Sequence, residues 1–202
     1  MENNKAIIKD KHDTVFVCHG ASNHSRTGER DINDYYATEP KATEVLLGVE
    51  KFNKNIWECC CGEMHISDVL EKHGYTVTKT DIVERLRNVD DIIDFLEYDG
   101  NWNGDIITNP PFKNAVDFVQ KALDVIPTGN KIAMFLKLTF LEGQARKQFF
   151  QENPPKTVYV SSSRLNCAKR GDFKTYKSSA IAYAWYLWEK GYKGETIIKW
   201  IN

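Results

Sequence analysis

The chain has 202 residues, 42% of them hydrophobic and 27% charged, which is the make-up of one globular domain large enough to bury its own core. A formal net charge of -1 excludes the global positive field of a strongly basic nucleic-acid binder and leaves only a local basic patch for that purpose. Five cysteines, Cys18, Cys59, Cys60, Cys61 and Cys167, do not make a disulfide framework and suit reduced thiols in a cytoplasm. No stretch approaches the roughly 18 continuous apolar residues of a membrane span, and the first residues lack a secretory apolar run.

Residues 1–34 are polar apart from 14–18 and carry Arg26 and Arg30; they read as a partly flexible arm preceding one domain, 35–202. Regular patterning then begins. Residues 41–49 predict a helix entered through Pro40, and 55–58 a short buried strand that runs into the glycine turn at Gly62. A helix follows over 66–73 and stops at Gly74. The alternation of 75–80 predicts a strand ending at Asp81, and a second acidic landmark stands at Asp94.

Residues 105–108 predict a strand running straight into Asn109-Pro110-Pro111-Phe112. Phe112, Ala115, Val116, Val119, Ala122, Leu123 and Ile126 then fall at helical spacing and make one apolar face. A buried strand over 131–138, a helix over 141–150 and a strand over 157–160 follow. Beyond the loop 161–178 lies an apolar strand, 179–188, and Gly191 and Gly194 predict a hairpin turn into 196–201. Seven strands alternating with helices imply an α/β fold with a mostly parallel sheet covered on both faces, plus an antiparallel strand from the C-terminal hairpin.

Ligands of such sheets lie beyond the carboxyl ends of the strands. Three landmarks fall there: Glu58 to Gly62, Asp81, and Asn109 to Phe112. A turn glycine lets backbone approach a ligand closely, a strand-end acid can take an ammonium, and Asp81 suits a ribose diol. An aromatic amine is a poor nucleophile because its lone pair is delocalised. The Asn109 side-chain oxygen and the Pro110 carbonyl are two acceptors that can take its hydrogens and localise that pair. The prolines stiffen the backbone and offer no competing N–H, and Phe112 can stack on a base rotated out of its helix.

These segments together resemble a known family. Residues 57–63, Asp81, 94–96, 105–112 and 135–143 are similar to the small phage- and prophage-type DNA adenine-N6 methyltransferases, and the likeness covers roughly 35–201. It implies a Rossmann-like fold, S-adenosylmethionine as cofactor, DNA as partner and a location in the cytoplasm of a bacterial cell or phage-infected host. It further implies that Thr38, in the upstream segment 36–40, helps hold the cofactor. Glu58 and Gly62 would contact the methionine part, Asp81 the ribose and Asp94 the cofactor adenine. Asn109 and Pro110 would hold the target amine, stiffened by Pro111, with Phe112 stacked on its base.

Two features depart from the family's pattern. Met64 stands where a second turn glycine is usual, and no separate target-recognition domain is present. The N-terminal arm or the loop 161–178 is then the expected reader of DNA. Arg164, Lys169, Arg170 and Lys174 would meet phosphates, with Phe173 and Tyr176 interleaved among them. A solvated surface loop is the competing reading.

Cys61, His65 and His73 do not make a four-ligand zinc set, so no metal is expected. The turn lacks the Gly-x-Gly-x-x-Gly spacing of a nicotinamide enzyme. Other amine acceptors (an RNA base, cytosine N4, a protein glutamine amide) and a degenerate, non-catalytic binding module remain the alternatives.

Overall fold

The computed structural model describes residues 35–85, 87–169, 171–174 and 181–202, which belong to the compact unit Asp31–Asn202. The expected arm, 1–34, and Arg170 lie outside the described residues. In chain order the elements are β1 (Tyr36–Thr38), α1 (Pro40–Val49), β2 (Asn55–Glu58), α2 (His65–Lys72), β3 (Thr76–Asp81), β4 (Asp91–Ile92) and β5 (Asp105–Thr108). Then come α3 (Ala115–Val125), β6 (Lys131–Lys137), α4 (Gln144–Glu152), β7 (Thr157–Ser161), β8 (Cys167–Lys169), β9 (Tyr183–Glu189) and β10 (Ile197–Ile201).

Among the described residues eight strands form the main sheet, in the order β10-β7-β9-β6-β5-β2-β3-β4. All neighbours run parallel except β9, which is antiparallel to both β6 and β7. This is the expected α/β, Rossmann-like architecture. The additional strand is β4, a two-residue edge too short and too exposed to show a period in the sequence.

The expected C-terminal hairpin is corrected. Strands β9 and β10 are not neighbours, because both edges of β9 are already taken by β6 and β7. Strand β10 crosses over and pairs parallel on the outer edge of β7. No helix among the described residues is long and apolar enough to cross a membrane.

The pleat sorts each central strand between two cores. Ile132, Met134 and Leu136 of β6 face α3 and α4, with Ile106, Tyr186 and Trp188. Ala133 and Phe135 face α1 and α2, with Ile107, Trp185 and Leu187. A strand buried on both faces reads as a continuous apolar run, and each such Ile or Leu contributes about 1.5–3 kcal/mol by leaving water.

At the amino ends of the strands, the Asp105 carboxylate accepts backbone N–H bonds from Asn53 (2.6 Å) and Lys131 (2.8 Å), tying β2, β5 and β6 together. The helix expected over 112–126 begins with a 3-10 turn, Phe112–Asn114, before α3. The helix expected over 141–150 likewise starts later, after Gly143 at φ +118°, because Leu138–Leu141 closes as a separate 3-10 turn.

Candidate active site

At the carboxyl ends of β2, β3 and β5 the landmark residues converge. Gly62, at φ +52°, donates its amide to the Asp81 carboxylate at 2.9 Å. The other Asp81 oxygen accepts from Val83 at 3.2 Å. Turn and strand end are therefore locked to one another, while each carboxylate oxygen keeps acceptor capacity.

Glu58 is buried. It accepts from the Ser67 amide at 2.8 Å and from the Ser67 hydroxyl, so it bolts the end of β2 to the first turn of α2. Burial pushes its carboxyl well above the usual range, with the two Ser67 bonds opposing.

Met64, at the turn position expected to depart from a glycine, adopts the left-handed conformation at φ 66° and is itself buried. The backbone here has the shape a glycine would favour, and a methionine supplies it at a strain of about 1–2 kcal/mol. Asp94 caps the 3-10 turn Phe95–Glu97 by accepting from the Leu96 amide at 3.0 Å.

The sequence reading gave no role to Tyr35, although its ring lies over the turn. A Cβ built on Gly62 would fall inside contact distance of that ring. The Tyr35 hydroxyl accepts from the Glu63 amide at 3.2 Å, and the Arg85 guanidinium sits 4.2 Å from the ring centre. Burial raises the phenol far above its ordinary value.

Asn109 is anchored by one end. Its amide nitrogen donates to the Tyr36 carbonyl (2.8 Å), the Thr38 hydroxyl (3.0 Å) and the Cys167 sulfur (3.7 Å). A carbonyl can only accept, so the nitrogen must face Tyr36 and the side-chain oxygen must face away. Among the described residues no donor pairs with that oxygen or with the Pro110 carbonyl. The Pro111 carbonyl, in contrast, is taken by the Asn114 amide at 3.0 Å.

Thr38 and Cys167 reach Asn109 because β1 and β8 pair antiparallel, Thr38 opposite Cys167. This two-stranded ribbon was not legible in the sequence, where three-residue strands show no period. Burial lifts the Cys167 thiol, so it stays a neutral sulfur beside the amide.

Phe112 is half-buried, stacked on Tyr36 (6.2 Å, 19°) and tilted against Tyr183 (5.8 Å, 34°). The Lys137 ammonium lies 4.8 Å from its ring centre. Tyr183 and Lys137 face one another across β9 and β6. Their signal in the sequence was only that each ends a strand next to the site. Further along β9, Trp185, Tyr186 and Trp188 are buried core.

Several described residues of the basic loop are packed against the domain. Leu165, Cys167 and Ala168 are buried, Lys169 pairs with Tyr36 in the ribbon, and Phe173 meets the His65 ring edge-on at 5.4 Å. Arg164 and Lys174 are exposed; Arg170 falls outside the described residues. The ribbon and the Phe173 contact bring this loop to the same corner as Asn109 and the Gly62 turn.

The architecture is that of the Rossmann-like methyltransferases. No family model matches the sequence, and no curated protein matches it. Among solved structures, the chain is similar to a Vibrio vulnificus protein described as a modification subunit of a type I restriction enzyme (14% identity, TM-score 0.55). That match covers 84% of this chain but 47% of the other, so this chain spans about half that protein's length. It is also similar to an S-adenosylmethionine-dependent O-methyltransferase from Thermotoga maritima (16% identity, TM-score 0.51), covering 77% of this chain and 67% of that one. At such identities the likeness is one of fold.

Proposed function

We propose that the chain transfers a methyl group from S-adenosylmethionine to the exocyclic N6 amine of adenine in DNA. The observation that carries this reading is the Asn109–Pro110 pair. The Asn109 nitrogen is fixed by β1 and β8, while among the described residues its oxygen and the next carbonyl have no donor. Two adjacent acceptors on a proline-stiffened corner match the two hydrogens of one amine.

The residues at the turn fit the cofactor. Gly62 leaves a cradle that a ring already occupies, Asp81 presents a locked carboxylate for a ribose diol, and Asp94 stands nearby in sequence for the adenine. The Tyr35 ring would yield its place over Gly62 to the methionine part. An ammonium brought beside Glu58 would pull its raised carboxyl back toward the ionised form. Bound there, the cofactor supplies an electrophilic methyl on a sulfonium.

The chain's own part is positioning and polarisation. The Asn109 oxygen and the Pro110 carbonyl take the amine hydrogens, so the nitrogen lone pair localises toward the methyl. Phe112, held between Tyr36 and Tyr183 with Lys137 against it, offers the stacking surface for a base out of its helix. Arg164, Lys169, Arg170 and Lys174 would hold DNA phosphates. Thr38 touches Asn109 itself, so its part is to hold the amide.

The experiment is incubation of the protein with labelled S-adenosylmethionine and unmethylated DNA, followed by nucleoside analysis. N6-methyladenine is expected, and Asn109→Ala should lower transfer by at least about a hundredfold with cofactor binding retained. Label entering RNA, cytosine or protein instead would reassign the acceptor. No transfer to any of them by a protein that binds the cofactor would overturn the reading.

A further inference from the structure

The outer edge of the sheet at β10 has no part in the site described above. Ile197, Ile198 and Trp200 on it are 50%, 48% and 71% exposed, and among the described residues nothing pairs beyond it. Natural edges are usually blunted by charge, proline, a bulge or very short length. The opposite edge, β4, is two residues long; β10 has five, with one lysine and no proline.

We infer that the open edge of β10 pairs antiparallel with the same strand of a second copy of this chain, in the register that sets Glu195 opposite Lys199.

The backbone decides which residues can meet. Ile197 donates its N–H to the Lys156 carbonyl, and Ser162 donates to the Ile201 carbonyl, so the odd-numbered residues are bonded toward β7. Backbone groups alternate from side to side along a strand. Thr196, Ile198 and Trp200 therefore direct their N–H and C=O groups to the open edge. Two copies meeting there must place even residues opposite even ones.

Charge then selects among the allowed registers. Centred on Ile197, Thr196 and Ile198 form the hydrogen-bonded pairs, Ile197 meets its own copy, and Glu195 faces Lys199 twice over by symmetry. Centred two backbone positions' pairing earlier, on Thr196, the register sets Lys193 against Lys199. Centred on Ile198, it sets Lys199 against Ile197 and Glu195 against Ile201. Opposite charges across strands attract and like charges repel, so only the first register is favourable. All three charged residues are exposed. Among the described residues Glu195 has no ion pair, and the Lys199 ammonium has only the Tyr159 ring at 5.9 Å.

The symmetry is that of an isologous dimer, the commonest kind, and it covers both isoleucines' edge. An interface of this extent is small for a permanent one, so association follows concentration.

Sedimentation velocity on the full chain over roughly 1 μM to 1 mM should show a monomer–dimer equilibrium. E195K and K199E should each associate about tenfold more weakly or worse, since each replaces two attractive contacts by two repulsive ones. Mixed one to one, the two variants should associate again, because position 195 of one then meets position 199 of the other with opposite charge. Both substitutions are at exposed positions, and circular dichroism checks that each variant is folded. A monomer at every concentration overturns the inference and leaves the edge to a different occupant. A dimer indifferent to the charge variants, or a mixture that fails to recover, overturns it equally.

Discussion

At Asn109 the amide has two flips but one set of partners. The Tyr36 carbonyl cannot donate, so only one flip satisfies the bond at 2.8 Å, and the side-chain oxygen is turned the other way. Thr38 and Cys167 complete the anchor. Thr38→Val keeps the volume and removes the hydroxyl acceptor. The expected result is a transfer rate at saturating cofactor lowered by roughly tenfold, with cofactor affinity unchanged, read by single-turnover kinetics and calorimetry. A loss of affinity at constant rate would instead place Thr38 on the cofactor.

Glu58 contributes a pH dependence to stability. Its folded-state carboxyl is raised by burial, so the folded chain binds the proton more tightly than the unfolded one. The stability this contributes is fully present below the ordinary glutamate value, about 4.3, and is lost as pH rises from there through the folded value. Urea midpoints should therefore fall with rising pH in that window, and Glu58→Gln should flatten the fall. The acidic positions were legible in the sequence as strand ends. That Glu58 binds Ser67 and Asp81 binds Gly62 was not, because each bond crosses between elements.

At the scale of elements, the turn after β2 is defined by what lies on it. Gly62 is at φ +52° with the Tyr35 ring against it. Gly62→Ala should cost about 1–2 kcal/mol for the left-handed backbone and more for displacing Tyr35. Adding Tyr35→Ala should recover the second part and leave the first, a split that chemical denaturation of the three variants measures. Full recovery would show that backbone strain is absent. The β1–β8 ribbon is the element the sequence hid. Its six residues are ordinary ones, and only their pairing makes them a clamp on Asn109.

For the molecule as a whole, the two ends of the sheet do different work. Asp105 ties β2, β5 and β6 at the amino ends, while the candidate site occupies the carboxyl ends. Asp105→Ala leaves two backbone N–H groups without acceptors, at about 1–3 kcal/mol each. Stability should drop by roughly 2–6 kcal/mol while transfer per folded molecule stays the same, as thermal unfolding and activity at low temperature would show together. A fall in the rate per folded molecule would mean that the two ends are coupled.

The sequence by itself determined the alternation of strands and helices, the placing of Glu58, Gly62, Asp81 and Asn109 at strand ends, and the double-sided burial of the central strands. Those properties are local: period, turn chemistry and apolar runs are written in consecutive residues. Only the tertiary structure decided that β10 bypasses β9 to reach β7, that Tyr35 covers the turn, that Asn109 is held by its nitrogen, and that β10 ends the sheet among the described residues. Each of these is a contact between residues far apart in the chain. Which partners meet is set by which strand edges and faces remain unoccupied after the others have paired, and no window of sequence contains that competition.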